Sequence, residues 1–346
     1  MKSILTVCRK ELSDHLGSRR YLLLFALIVV LSVLSAYTGA DYIRDNPNVS
    51  FTNIFSGSMN NSFSFIYLMV LFGPIIGLAL GFDAINRERT RGSLSVVLSQ
   101  PIFRDSILNG KFLAGIAALS LLTISTVGII TGIAIPLLGF GPGVDEIIRI
   151  GSFTLLTILY LSIWLAVGLL FSTITKNTTT SILASISTWL LFSILMTVIA
   201  TMVANAVIPV ELPGGFQAMT RTVNPSPDGA NGELGAFNQT MRFTQNATIF
   251  DQTQLEDYME TQEANADLEL AIQSISPTYL YEEASQSLLG VTEGGFGAGG
   301  NPFQALDTSQ SVSSSWPQVT VLAVVLIACF ASSYMLFLRQ EIRAGG

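Results

Sequence analysis

Six long apolar stretches dominate the chain: Tyr21–Ala40, Phe63–Phe82, Phe112–Leu138, Phe153–Ile174, Ser181–Ile208 and Val319–Leu338. Each is long enough to cross a hydrocarbon core of about 30 Å, which takes about 20 helical residues. Inside lipid every backbone amide must be paired, either within a helix or around a closed barrel. These runs lack the two-residue alternation of barrel strands. The expected fold class is therefore an all-α integral membrane protein. It has six transmembrane helices, an N-terminal interfacial helix and a mainly helical extracytoplasmic insertion between helices five and six.

Basic residues set the expected orientation. Lys2, Arg9, Lys10, Arg19, Arg20, Arg87, Arg89, Arg91, Arg104, Lys111, Lys176, Arg339 and Arg343 fall on one side, and only Arg44, Arg149, Arg221 and Arg242 on the other. Basic loops stay cytoplasmic, which places both termini inside, as an even number of spans requires. The first stretch is read as a retained span of a multi-pass plasma-membrane protein, since its length and the absence of a clear small-residue cleavage site argue against a secretion signal.

Four regions follow. Residues 1–20 form the cytoplasmic or interfacial N-terminal helix, residues 21–208 the first five spans, residues 209–318 an acidic extracytoplasmic insertion, and residues 319–346 the last span and tail. In the first, Ile4, Leu5, Cys8, Leu12 and Leu16 recur near helical spacing among charges; that pattern suits a helix in the membrane plane and equally a short helix packed on protein. The insertion has 14 acids against two arginines, within a chain of net charge −7. It reads as a solvated surface, with a cation-collecting one as the alternative. Within it, 253–275 and 279–289 are helical candidates expected to form a small cap on the outer span ends. Lys176-Asn177-Thr178-Thr179-Thr180 makes a tight turn between spans four and five. Asn48, Asn60, Asn238 and Asn246 match a glycan acceptor pattern, as does Asn177 on the opposite side. Four lysines against 13 arginines, with an acidic exterior, suit a high-salt setting.

Several chemistries find no support. Cys8 and Cys329 are placed apart, His15 reads as a surface histidine, and no cysteine–histidine cluster has metal-ligand spacing. No phosphate-binding loop, His-Glu-x-x-His or Gly-x-Ser-x-Gly pattern occurs, so the chain is expected to be non-enzymatic and to hold no cofactor. The spans are almost free of charge, unlike ion-driven carriers. Asp83, at the inner end of span two, reads as an interfacial carboxylate.

The strongest local signal lies between spans two and three, an amphipathic element at about residues 84–100. Ile85, Leu94, Val97 and Leu98 make an apolar face, Glu88, Arg89 and Arg91 a charged rim, and Pro101 stops the helix before Arg104. Such an element on rigid stems can carry a partner's movement into the spans; a headgroup-facing loop is the alternative.

Here the chain resembles the permease subunits of the ABC-2 class of ATP-binding-cassette systems. Their inner loop has the form Glu-Arg/Glu-x-x-Gly-Thr/Ser-Leu-x-x-Leu-Leu-x-x-Pro, with Arg and Gly-Lys beyond. Glu88, Gly92, Ser93, Leu94, Leu98, Pro101, Arg104, Gly110 and Lys111 fit it, while Ser95 stands where many members carry Glu and Val97 replaces a common Leu. The resemblance covers residues 1–208 and 319–346. The insertion is nearer to enlarged branches, the NosY-like and sodium-export permeases, whose Ser/Asn-Pro-x-x-Tyr stretch Ser276-Pro277-Thr278-Tyr279-Leu280-Tyr281 loosely follows.

The resemblance implies a coupling helix received by a separate pair of ABC ATPase subunits, which hold the ATP and Mg. It also implies a second permease subunit completing the pore in the bilayer, and no nucleic-acid partner. Glu88, Arg89 and Arg91 would orient docking while Leu94 and Leu98 bury at the contact. The implied function is the membrane half of an ATP-driven exporter. A mechanical-signalling or assembly subunit and an ATPase-independent secondary carrier are the alternatives.

Gly73, Gly77 and Gly81 recur at four-residue intervals in span two, beside Pro74, and Gly128 and Gly132 repeat the spacing in span three. Small residues on one stripe let membrane helices approach closely. Both stripes are expected to mark helix packing, either within one subunit or at a subunit seam.

Overall fold

The computed structural model describes residues 2–47, 49–56, 64–90, 104–210, 252–290 and 308–339, and every regular element among them is helical. In order these are α1 (Lys2–Leu16), α2 (Arg19–Asp45), a 3-10 turn (Phe51–Ile54), α3 (Phe65–Gly81), α4 (Asn86–Thr90), α5 (Arg104–Leu138) and α6 (Val144–Ile174). Then follow α7 (Thr178–Leu190), a π-helical turn (Leu191–Leu195), α8 (Met196–Val207), α9 (Gln252–Gln273), α10 (Pro277–Leu289) and α11 (Thr308–Arg339). Six helices are long and apolar enough to cross a membrane: Arg19–Asp45, Phe65–Arg89, Ser106–Leu138, Val144–Ile174, Thr178–Val207 and Ser313–Arg339. They coincide with the six apolar stretches.

The chain divides into two compact units, Met1–Met196 with Ser274–Gly346, and Thr197–Gln273. In the first unit α6 is the central post. Its apolar window is 72% buried, against 17% for the last span. Phe153, Tyr160 and Trp164 are its largest enclosed side chains.

Contact between α3 and α6 depends on glycine. A Cβ on Gly73 would lie 2.9 Å from Leu161 Cδ2, and one on Gly77 would lie 2.7 Å from the Leu161 carbonyl oxygen and 2.8 Å from Trp164 Cβ. One on Gly81 would lie 2.6 Å from the Leu165 carbonyl oxygen, and across from it a Cβ on Gly168 would lie 3.1 Å from Gly81 Cα. The two backbones therefore touch at Gly77 and Gly81, while Gly73 admits the Leu161 and Tyr160 side chains. Gly128 and Gly132 differ: nothing among the described residues lies within 4 Å of an added Cβ at either. Among the described residues, their four-residue spacing marks no close helix crossing.

The connection after α2 is partly core. Phe51, Ile54 and Phe55 are buried, and Phe55 packs on Phe65 and Phe153 with ring centroids 6.0 and 5.5 Å apart. The Ile54 carbonyl oxygen would lie 2.5 Å from a Cβ on Gly39, so glycine there lets the turn fold back onto α2.

A second difference concerns residues 209–318. The acidic α9 belongs to the second unit, but α10 belongs to the first. Rather than capping helix ends, α10 is sunk among α3, α6 and α11, with Leu280, Tyr281, Ala284, Leu288 and Leu289 buried. Its first turn reaches the middle of two spans. Ser276 Oγ donates to the Phe192 carbonyl oxygen at 2.6 Å, and Thr278 Oγ1 lies 3.0 Å from Ser193 Oγ and 3.5 Å from the Tyr160 hydroxyl. Its other end stops at Gly290, whose φ of +74° suits glycine at a helix terminus, and the Leu289 carbonyl accepts from Thr52 Oγ1 at 2.7 Å. The π-helical turn displaces the backbone ladder of span five at Phe192, and Ser276 occupies the displaced carbonyl.

In the second unit, Asn265 donates to the Ile208 carbonyl oxygen at 2.7 Å and Thr201 donates to Glu269 at 2.7 Å.

Candidate functional site

At the α1 end of the bundle, charges from four segments converge. Lys111, in the second turn of α5, is only 5% exposed and lies 2.9 Å from a Glu11 carboxylate oxygen on α1 and 2.8 Å from one of Glu88 on α4. Its neighbour Gly110 makes room for α1, since a Cβ there would fall 2.7 Å from Val7 Cγ1. Leu12 and Leu16 pack on the core while Leu5 is exposed. Thus α1 docks on protein, the second of the two readings its sequence allowed.

Beside this triad, Asp83 receives Arg20 from α2 at 2.7 Å and lies 3.9 Å from Arg87. The Arg20 guanidinium also sits 5.6 Å above the Phe82 ring. Between the two clusters is a cavity of about 210 Å³, faced by Lys10, Glu11, Asp14, His15, Arg20, Asp83, Arg87, Glu88 and Lys111. Positive and negative groups balance there, so the cavity favours neither anion nor cation. Among the described residues no group of three or more His, Cys, Asp or Glu could hold a metal ion.

The entry to α4 is stitched to neighbouring helix ends. Ser172 Oγ accepts from the backbone N–H of Ile85 at 3.0 Å and of Asn86 at 3.2 Å, satisfying two donors that a helix start leaves unpaired. Turned so that its nitrogen faces two carbonyls, the Asn86 amide donates to Ser172 and Thr175 at 3.1 and 2.7 Å. Arg89 donates to the Thr175 carbonyl oxygen at 3.2 Å, a cation at the C-terminus of α6 where the helix dipole favours one. Ser181, at the start of α7, donates to the Phe82 carbonyl oxygen at 2.7 Å.

Of the coupling residues read from sequence, Ile85 is fully buried, and Glu88 and Arg89 turn into the bundle rather than out along a rim. Arg104 opens α5. Arg91, Gly92, Leu94, Leu98 and Pro101 lie outside the described residues. Sequence reading missed the partners: Glu11, Ser172, Thr175 and Ser181, and Lys111 as the base of Glu88. The available signal was slight: Lys111 stands directly before the apolar stretch Phe112–Leu138, where a buried ammonium needs a carboxylate.

His15, expected at the surface, is half-buried and faces the cavity. Burial pushes its imidazole below the ordinary 6.5, Glu11 opposes that shift, and Lys111 reinforces it. Burial alone would raise the Glu11 carboxyl, yet the charge and hydrogen bond of Lys111, then those of Lys10, leave it below its ordinary 4.5. For both groups the folded state holds fewer protons than the unfolded one, so their stabilisation is full at neutral pH and lost on acidification. Docking of α1 should weaken first as pH falls below about 6.5, through His15, and further below about 4.5, as Glu11 titrates at its depressed value. An environment-sensitive fluorophore at Leu5 should report both stages, and His15→Gln should remove the first alone.

Residues 5–342 match the family model described as ABC-2 family transporter protein. Over 153 residues, 44% of this chain and 52% of the relative, the sequence is 33% identical to a Pseudomonas aeruginosa protein named "Probable ABC transporter permease protein NosY". A Stutzerimonas stutzeri protein of the same name is 33% identical over 141 residues, 41% of this chain and 44% of that protein. The chain spans about half the length of the curated relatives it matches. With the family match running over nearly its whole length and six helices able to cross a bilayer, this multi-pass membrane protein belongs to the ABC-2 transporter family.

Proposed function

We propose that this chain is the permease subunit of an ATP-driven ABC transporter acting as an exporter. Separate ATPase subunits bind ATP and Mg and push on the segment at about residues 84–100, and the spans rearrange in response. The observation that carries this reading is the anchorage of residues 82–89. They are bonded to α6 through Ser172 and Thr175, to α7 through Ser181 and to α5 through Lys111. Force applied just beyond Thr90 is delivered to four spans at once, as a lever requires.

The excess of basic residues supports a cytoplasmic location for this end and for both termini, with the acidic α9 outside. Span five supports a second permease subunit. Its apolar window is 11% buried, and it presents an exposed Ser187 among Leu183, Ile186 and Leu190. A hydroxyl on an apolar face is better matched by a neighbouring helix or a wet path than by lipid.

The test is purification with the endogenous partner followed by flux in sealed vesicles. ATP-dependent movement of a solute, lost without the ATPase, is the expected result. Coupled ATP turnover with no flux of any solute would favour mechanical signalling. Full-rate uptake driven by an ion gradient in the isolated chain would overturn the proposal.

A further inference from the structure

Lys111 does more than neutralise two acids. Glu11 belongs to α1, Glu88 to the short helix leading into the proposed lever, and Lys111 to the first buried turns of α5. One ammonium, 5% exposed, is thus the common partner of three segments far apart in sequence. The spacing is tight on both arms, 2.9 and 2.8 Å, so an ammonium with three donors serves both carboxylates at once. Lys10 lies 3.3 Å from the other Glu11 carboxylate oxygen, which offsets the second negative charge of the triad. Removing the middle member would leave two acids facing each other in a poorly solvated site, a much greater penalty than losing a surface pair.

The surroundings point to a linkage rather than a binding site. Every charged group around the neighbouring cavity has an opposite charge among the others, and Gly110 is shaped to admit α1. On its other side Glu88 sits between Asn86 and Arg89, which fasten α4 to α6.

We propose that Lys111 is a positioning residue for force transmission: its ammonium clamps α1 to α4, so that the N-terminal helix travels with α4 when an ATPase pushes. This rests on the reading of that segment as the ATPase contact. Through it, α1 and the entry to span three become part of the moving element.

Spin labels at Leu5→Cys and Lys176→Cys, with Cys8→Ser and Cys329→Ala, allow a test on the full chain in nanodiscs. The wild-type background should give a narrow distance distribution, Lys111→Met one at least twice as broad, and Lys111→Arg a narrow one. Glu88→Gln should loosen α1 less than Lys111→Met, and the double variant no more than Lys111→Met alone. A narrow distribution in Lys111→Met, or additive effects of the two substitutions, would overturn the clamp. In complex with the ATPase, ATP should shift the wild-type distance. Lys111→Met should lower ATP-driven flux at least tenfold while pull-down of the ATPase stays within twofold. Full flux with a loosened α1 would overturn the transmission role. If wild-type chain binds no ATPase, the proposed function falls and the transmission role with it, while the clamp is judged on the distances alone. Glu88→Gln supplies the same readouts should Lys111→Met fail to fold.

Discussion

Gly77→Leu is expected to abolish the folded bundle, while Gly128→Leu leaves it intact. At Gly77 the first added carbon already meets the backbone oxygen of Leu161 at 2.7 Å and Trp164 Cβ at 2.8 Å, and backbone cannot swing aside as a side-chain tip can. Trp164 is among the largest enclosed side chains and Leu161 is fully buried, so neither has space to retreat into. Overpacking a filled core costs about 1–3 kcal/mol when neighbours can adjust. Here α3 and α6 would have to separate along their entire crossing, losing the contacts of Gly73 and Gly81 as well, so the cost should exceed that range. The check is recovery of monodisperse protein after mild detergent extraction, with thermal unfolding of whatever is recovered. Gly128→Leu carries the same substitution to a site with none of the described residues within 4 Å of the added carbon, and its yield should match the parent. Equal yields for the two would contradict the crossing.

That pair of glycine stripes shows where sequence reading succeeds and where it stops. Hydropathy located all six spans, because burial in lipid is set by composition and length alone. Spacing of small residues suggests close packing, but Gly73 to Gly81 and Gly128 to Gly132 are alike in sequence. Among the described residues only the first stripe meets a partner, and that partner includes Gly168, which belongs to no four-residue glycine stripe of its own. The coupling segment was legible as amphipathic with charged flanks. Its anchors were not, because Ser172, Thr175 and Ser181 are ordinary hydroxyl residues whose role comes from lying beside the start of α4. Lys111 was visible within a family pattern, yet its pairing with Glu11 joins residues 100 positions apart, and no local rule selects one acid among 24. For α10 the error had a simple cause. Glu282 and Glu283 and the acidic sequence around them suggested a wet surface, whereas Pro277, Thr278, Leu280, Tyr281, Ala284, Leu288 and Leu289 form a buried face of their own.

Truncating Tyr281 tests that buried face. Its ring is fully enclosed and stacks on Tyr160 with centroids 4.2 Å apart and planes within 10°, and its hydroxyl lies 3.1 Å from Thr157 Oγ1. Thr157 already donates to the Phe153 carbonyl oxygen at 2.9 Å, so it is the tyrosine that donates to the threonine. Tyr281→Ala removes the stacked ring and leaves a cavity between α10 and α6, and large aromatic truncations in cores cost about 3–5 kcal/mol. Tyr281→Phe keeps the ring and loses one hydrogen bond while stranding only an acceptor lone pair, at a cost of about 1 kcal/mol. The gap between the variants separates packing from polarity. Thermal unfolding in one detergent should rank parent, Tyr281→Phe and Tyr281→Ala in that order, with the larger step between the last two. Tyr281→Ala should also release the first turn of α10 from span five, because Ser276 and Thr278 hold the π-helical turn only while the stacked rings keep α10 at that depth. Reaction of a cysteine at Ser276 with a water-soluble maleimide should then rise severalfold over the parent background. If labelling stays low and the melting temperature is unchanged, α10 is not held by its aromatic face, and its buried position has another source.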